Sequence, residues 1–388
     1  MKKFLALLLA LVMSLSLVAC GGGSDTTTDE STDTEGGDTA ETASYQVAMI
    51  TDYGDITDQS FNQTTYEACQ EFCNAQGLQF EYYKPQGDST PERVAMVDAA
   101  VADGYNVIVM PGYAFAETIK ETAELYPDVT FIALDVAQGD LDPNGEGYTL
   151  PSNVYCAVYQ EELCGYMAGY AAVKLGYTHL GVLGGMAVPA VQRFGYGFVQ
   201  GADAAAVEMG IADQVVMEYA YGNQFYGDSD ITAYMDNWYQ TLGVEVVFAS
   251  GGGIYTSAAE AAAKVGGKLI GVDVDQSANI NTYGEGMCVT SAMKGLAETV
   301  KHMLSEVVAG NFANYGGKIE TLGLVNGDDP TANYVQLPME TTQWGDGFTQ
   351  DDYKALVKAM YDGEVTVSND ISAMPATTIN VNFAGNIK

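Results

Sequence analysis

Positive charge is scarce in this chain of 388 residues. Lysine and arginine together number 15 against 51 acids, the formal net charge is −36, and the only arginines are Arg93 and Arg193. A surface this acidic repels phosphate backbones and anionic head groups, which makes nucleic-acid binding and electrostatic docking to membranes poor readings. Histidine is confined to His179 and His302, one at a strand start and one inside a helical pattern. Neither is placed to act as the base of a serine or cysteine triad, and metal binding lacks histidine or Cys-x-x-Cys support. After residue 19 no apolar stretch is long enough to span a bilayer. The cysteines beyond Cys20 are Cys69, Cys73, Cys156, Cys164 and Cys288, an odd number that excludes complete internal pairing. Cys69 and Cys73 share one helix face and read as core packing.

What is present begins with a basic start (Lys2, Lys3) and an apolar run from Phe4 to Val18, the pattern of a signal peptide over residues 1–19. The segment Leu17-Val18-Ala19-Cys20 resembles a bacterial lipobox, in which Cys20 becomes a lipidated first residue. Lipid chains contribute about 0.8 kcal/mol per buried methylene, so several chains on one cysteine hold a soluble body at a membrane. Residues 21–44 carry seven acids, no base and no apolar periodicity, so the span 20–44 reads as a lipidated cysteine with a flexible, self-repelling tether. The expected location is the extracytoplasmic face of the cell membrane.

From Tyr45 short β-rich runs alternate with helical patterns. The strands read are Gln46–Thr51, Phe80–Tyr83, Val107–Met110, Thr130–Leu134, Val154–Val158, Leu180–Leu183, Val215–Tyr219, Val246–Ala249 and Lys268–Val272. Strands spaced by helices predict an α/β fold of right-handed β-α-β units, and this many strands predict two lobes with parallel sheets. The break falls near Val158–Glu161, and the chain crosses back near Met293–Gly295.

Ligands of open parallel sheets sit beyond the carboxyl ends of the strands, so polar residues there are the candidates. Asp52 follows the first strand, and Phe61 and Asn62 open the next helix, with Asp58 or Ser60 available as its cap. Phe61 can pack in the core or offer a flat face. Asp135 closes the fourth strand, either pointing at the crevice or solvated as a loop acid. Arg193 follows the sixth strand as a structural partner or a binding group, and Phe225 is a candidate second ring. Gly251, Gly252 and Gly253 let backbone amides face a ligand, but the Gly-x-Gly-x-x-Gly dinucleotide spacing is absent. Asp273 and Asp275 close another strand, and Lys294 stands at the lobe crossing, exposed or functional.

Three blocks together carry a resemblance: Asp58-Gln59-Ser60-Phe61-Asn62-Gln63, Gly184 through Ala202, and Gly271 through Gln276 with Lys294. In this order, after a lipobox, they resemble the basic membrane protein family, the PnrA-like nucleoside-binding lipoproteins of ABC importers, over roughly residues 45–325. The resemblance implies a type I periplasmic-binding-protein fold joined by a three-segment hinge, with 45–158 and 294–325 in one lobe and 159–293 and 326–388 in the other. It implies a purine nucleoside as ligand and permease and ATPase subunits as partners; a monomer without cofactor is expected, and the residues offer no catalytic set. Phe61 and Phe225 would stack on the base, and Asp52 with Asn62 or Ser60 would meet its edges. Asp135, Asp273 and Lys294 would hold the ribose hydroxyls near the Gly251–Gly253 backbone. The competing readings are a sugar receptor of the same fold, a signalling or adhesion lipoprotein, and a nucleoside hydrolase, for which Asp52, Asp55 and Asp58 are poorly spaced as a calcium cluster.

Overall fold

The apolar runs assemble into two separate sheets. In the computed structural model, which describes residues 45–52 and 54–388, thirteen strands are present: β1 Gln46–Ile50, β2 Gln79–Tyr83, β3 Val107–Pro111, β4 Thr130–Leu134, β5 Val154–Tyr159, β6 His179–Gly184, β7 Val216–Tyr221, β8 Val246–Ser250, β9 Lys268–Asp273, β10 Cys288–Lys294, β11 Lys318–Leu322, β12 Val335–Gln336 and β13 Asn380–Asn386. The signal segment, Cys20 and the acidic tether lie outside the described residues. One sheet has the order β11-β5-β4-β3-β1-β2 and the other β12-β10-β9-β8-β6-β7-β13. Every pairing is parallel except β10 with β12.

Strands such as β3 and β8 are buried along their whole length, which is why they read as unbroken apolar runs rather than alternating ones. Helices cover both faces of each sheet. The five described cysteines are buried without disulfides, so they are part of the core.

The chain passes between the sheets three times: after β5, after β10, and between β11 and β12. After the first passage the helix Glu161–Lys174 packs along the helix Pro189–Glu208 of the second sheet. After the second, the helix Leu296–Val308 returns to pack on Phe61–Gln76 of the first. The crossing expected near Met293–Gly295 begins at Gly295, directly after Ser291–Lys294, the end of the buried strand β10. Its hydroxyl and lysine disguised the strand, because Ser291 and Lys294 are buried only by virtue of tertiary partners. The helix Glu161–Lys174 and strands β11 to β13 were not legible either, the latter being short or exposed.

Candidate functional site

The carboxyl ends of the two sheets face one another across a cleft of about 730 Å³. Asp52, Phe61, Asn62, Asp135, Phe225, Gly251, Gly252, Gly253, Asp273 and Lys294 all line it. Ser60 is not among the lining residues. Its hydroxyl is wholly buried and donates to Asp273 Oδ2 at 2.6 Å, linking the first lobe to the second. Between the two adjacent acids, Asp273 is on the wall, whereas Asp275 accepts from the Ser277 amide and the Thr341 hydroxyl.

The corner after β1 is organised by Asp58. Its carboxylate accepts from the backbone amides of Ser60, Asn62 and Gln63 at 2.9, 2.9 and 3.1 Å, so Asp58, not Ser60, satisfies the orphan donors of the helix Phe61–Gln76. Asn62 Nδ2 also donates to Asp58 Oδ2 at 3.0 Å, which fixes the amide's orientation and leaves Oδ1 buried without a protein partner. Burial pushes the Asp58 carboxyl up, against the pull of those amides. Asp52 accepts from the Gly54 amide at 2.8 Å and lies over Gly112, where a Cβ would meet Asp52 Oδ2 at 2.3 Å.

The centre of the site is a buried ion cluster at the passages between lobes. Lys294 Nζ lies 2.6 Å from Asp135 Oδ2, 3.4 Å from Glu161 Oε1 and 3.7 Å from Asp273 Oδ1. It also sits 4.7 Å from the centre of the Phe61 ring, with Tyr159 and Phe194 slightly further. Glu161 is shared, since its Oε2 accepts from Arg193 Nε at 2.7 Å. Burial opposes the charge on Lys294, but Asp135, Glu161 and Asp273 outweigh it and hold the ammonium protonated. Burial likewise raises Asp135 to about 6 despite Lys294, and raises Asp273. Asp135 Oδ1 has no protein partner. Three carboxylates against two cations leave the cluster negative when all are ionised.

Backbone strain gathers here. Among the described residues four that are not glycine have positive φ: Gln59, Asp135, Asn223 and Asp273. Asp135, Asn223 and Asp273 line the cleft, and the Gln59 carbonyl accepts from Gln276 Nε2 across the lobes at 3.0 Å. Such conformations cost of order 1–3 kcal/mol each and persist where surroundings enforce them. Here they turn two strand-end carboxylates inward toward one lysine.

Arg193 reaches Glu161 because two helices meet at backbone contact. A Cβ on Gly165 or Gly169 would stand 2.2 or 2.1 Å from the carbonyl oxygens of Phe194 and Phe198, and one on Gly197 or Gly201 would stand 2.2 or 2.0 Å from those of Glu162 and Tyr166. On the far wall Phe225 lies against Gly185, and its carbonyl accepts from the Gly253 amide at 2.9 Å.

Sequence reasoning missed Glu161, Asp140, Asn223 and Ser250 as site residues and did not settle Arg193. Glu161 carried a usable signal, an acid two residues past the strand Val154–Tyr159, but its role depends on Arg193 and Lys294, far away in the chain. Seven aspartates line the cleft (Asp52, Asp55, Asp58, Asp88, Asp135, Asp140, Asp273), and its two cations, Arg193 and Lys294, are both held in ion pairs. The arrangement suits a ligand with hydroxyl or amine donors and apolar faces, and disfavours an anion.

A family model described as ABC transporter substrate-binding protein PnrA-like matches residues 45–328. The chain is 27% identical over 337 residues to a CD4+ T-cell-stimulating antigen of Listeria innocua, covering 82% of this chain and 87% of that one. It is 25% identical over 344 residues to the ABC transporter nucleoside-binding protein BmpA of Lactococcus lactis, covering 83% and 88%. Among solved structures it is similar to an ABC transporter solute-binding protein of Aeropyrum pernix, with a TM-score of 0.63 at 24% identity, covering 84% of this chain and 88% of that one. That likeness carries the fold, the type I arrangement of periplasmic solute-binding proteins.

Proposed function

Because this chain belongs to the PnrA-like family of ABC transporter substrate-binding proteins, and so captures a solute rather than converting one, we propose that its ligand is a purine nucleoside. The protein is read as a lipoprotein anchored through Cys20 outside the cytoplasmic membrane, delivering its ligand to a permease driven by an ATPase. The lipobox-like Leu17-Val18-Ala19-Cys20 supports the anchor. The name of the Lactococcus relative supports the nucleoside.

The observation that carries the ligand class is the pairing of Asp135 and Asp273 around Lys294 at one end of a cleft that also contains Phe61 and Phe225. Two carboxylates and an ammonium complement a vicinal diol, which offers two donors and two acceptors. The rings complement a base; stacking contributes about 1–3 kcal/mol per base, a sizeable part of the roughly 8 kcal/mol that micromolar binding requires. Asn62 Oδ1 and the Asp52 carboxylate present acceptors to donor groups on the base edge.

A thermal-shift screen of purine nucleosides, pyrimidine nucleosides and free pentoses tests the reading. Stabilisation by adenosine, guanosine or inosine, with little response to ribose, is the expected outcome. Stabilisation by free sugars alone would replace it with a sugar receptor of the same fold.

A further inference from the structure

Three of the buried polar atoms that lack a protein partner belong to residues of the cleft wall: Asn62 Oδ1, Asp135 Oδ1 and Ser250 Oγ. The first two are acceptors when Asp135 is ionised. Ser250 Oγ differs, because a hydroxyl can also donate. Ser250 is the last residue of β8 and is 1% exposed, and its carbonyl accepts from the Gly185 amide at 2.8 Å. A buried hydroxyl without a partner is rare in native proteins and asks for an explanation.

Two placements show which part of a ligand it would meet. Strand alternation puts the Ser250 side chain on the same face as Phe248, whose ring packs on Phe194 and Phe198. Phe194 in turn lies 5.6 Å below Lys294 Nζ. In the parallel register Phe248 pairs with Ile270, so Ser250 comes level with Val272, the residue before Asp273. Both routes lead to the charged end of the cleft. Phe225, also on the cleft wall, packs on Gly185 and beside Gly251.

We propose that Ser250 is a further specificity-determining residue, whose hydroxyl exchanges a hydrogen bond with one hydroxyl of the ligand's sugar. This rests on the nucleoside reading above. Ser250 works beside Asp273 and Lys294 without sharing their charge, so it distinguishes sugars by the presence of one hydroxyl.

The test is calorimetric titration of wild type and Ser250→Ala with inosine and its 2′-, 3′- and 5′-deoxy counterparts. Inosine should bind the variant about 3- to 10-fold more weakly, the range of one neutral hydrogen bond. With one of the three deoxynucleosides the two proteins should bind alike, because the partner hydroxyl is gone. No loss with inosine, or an equal loss with all four ligands, overturns the proposal. Should Ser250→Ala unfold early in a thermal scan, Ser250→Cys, close in size and a weaker donor, must give the same pattern at smaller amplitude. If wild type binds none of the four, the nucleoside reading has failed and this inference falls with it; binding by wild type with a uniform loss in the variant sinks Ser250 alone.

Discussion

Asp135 does two opposed things. Burial lifts its carboxyl from 3.8 to about 6, so the ligand-free fold takes up that proton more readily than the unfolded chain does. Its contribution to stability therefore rises as pH falls from about 6 toward 4. In the proposed complex a sugar hydroxyl donates best to the ionised Asp135, so affinity runs the other way, highest well above pH 6 and declining as pH drops through it. Dissociation constants measured from pH 8 to 5 should show that decline, and Asp135→Asn should bind more weakly with a flatter profile; a wild-type profile without a bend contradicts this role. Lys294→Met leaves Asp135, Glu161 and Asp273 buried without their shared cation. Such a loss destabilises by about 3–5 kcal/mol. An unchanged urea midpoint would mean that the cluster is not held together by this lysine. At this scale, acids closing apolar runs were legible as site candidates, since strand ends point at the crevice. Their partners were not: Ser60 looked like a cap or a ligand group and instead binds Asp273, because sequence spacing says nothing about residues 213 apart.

Strands with unbroken apolar runs were legible nearly to the residue, as β4 illustrates by spanning Thr130–Leu134. Elements whose burial depends on distant partners were not, and β10 with its interior Ser291 is the clearest case. The close helix pair behind Arg193 also escaped notice, although its glycines are spaced four apart in each helix. Gly169→Ala would drive a methyl to 2.1 Å from the Phe198 carbonyl oxygen and force the helices apart. Overpacking of this kind costs about 1–3 kcal/mol. Gly139→Ala, with nothing within 4 Å of its added methyl, is the control and should leave the midpoint of thermal unfolding near that of wild type. Equal midpoints for both variants would show that the helix pair tolerates separation.

Three passages between the sheets make a hinge, and contacts from Ser60 to Asp273, from Gln276 to Gln59 and from Lys294 to Asp135 tie the lobes across the cleft. Two lobes were readable from the strand count; the residues that touch across the gap were not. A ligand bridging both walls favours the closed form. Small-angle scattering should therefore record a smaller radius of gyration with guanosine than without, and no change on saturation would argue against closure around the ligand. Calorimetric titration of the wild-type protein with guanosine and guanosine monophosphate at neutral pH decides whether the acid-lined cleft takes an uncharged purine riboside, as proposed. Seven wall aspartates disfavour a phosphate dianion by several kcal/mol, so guanosine should bind at least about 100-fold more tightly. Equal or tighter binding of the monophosphate would contradict the account.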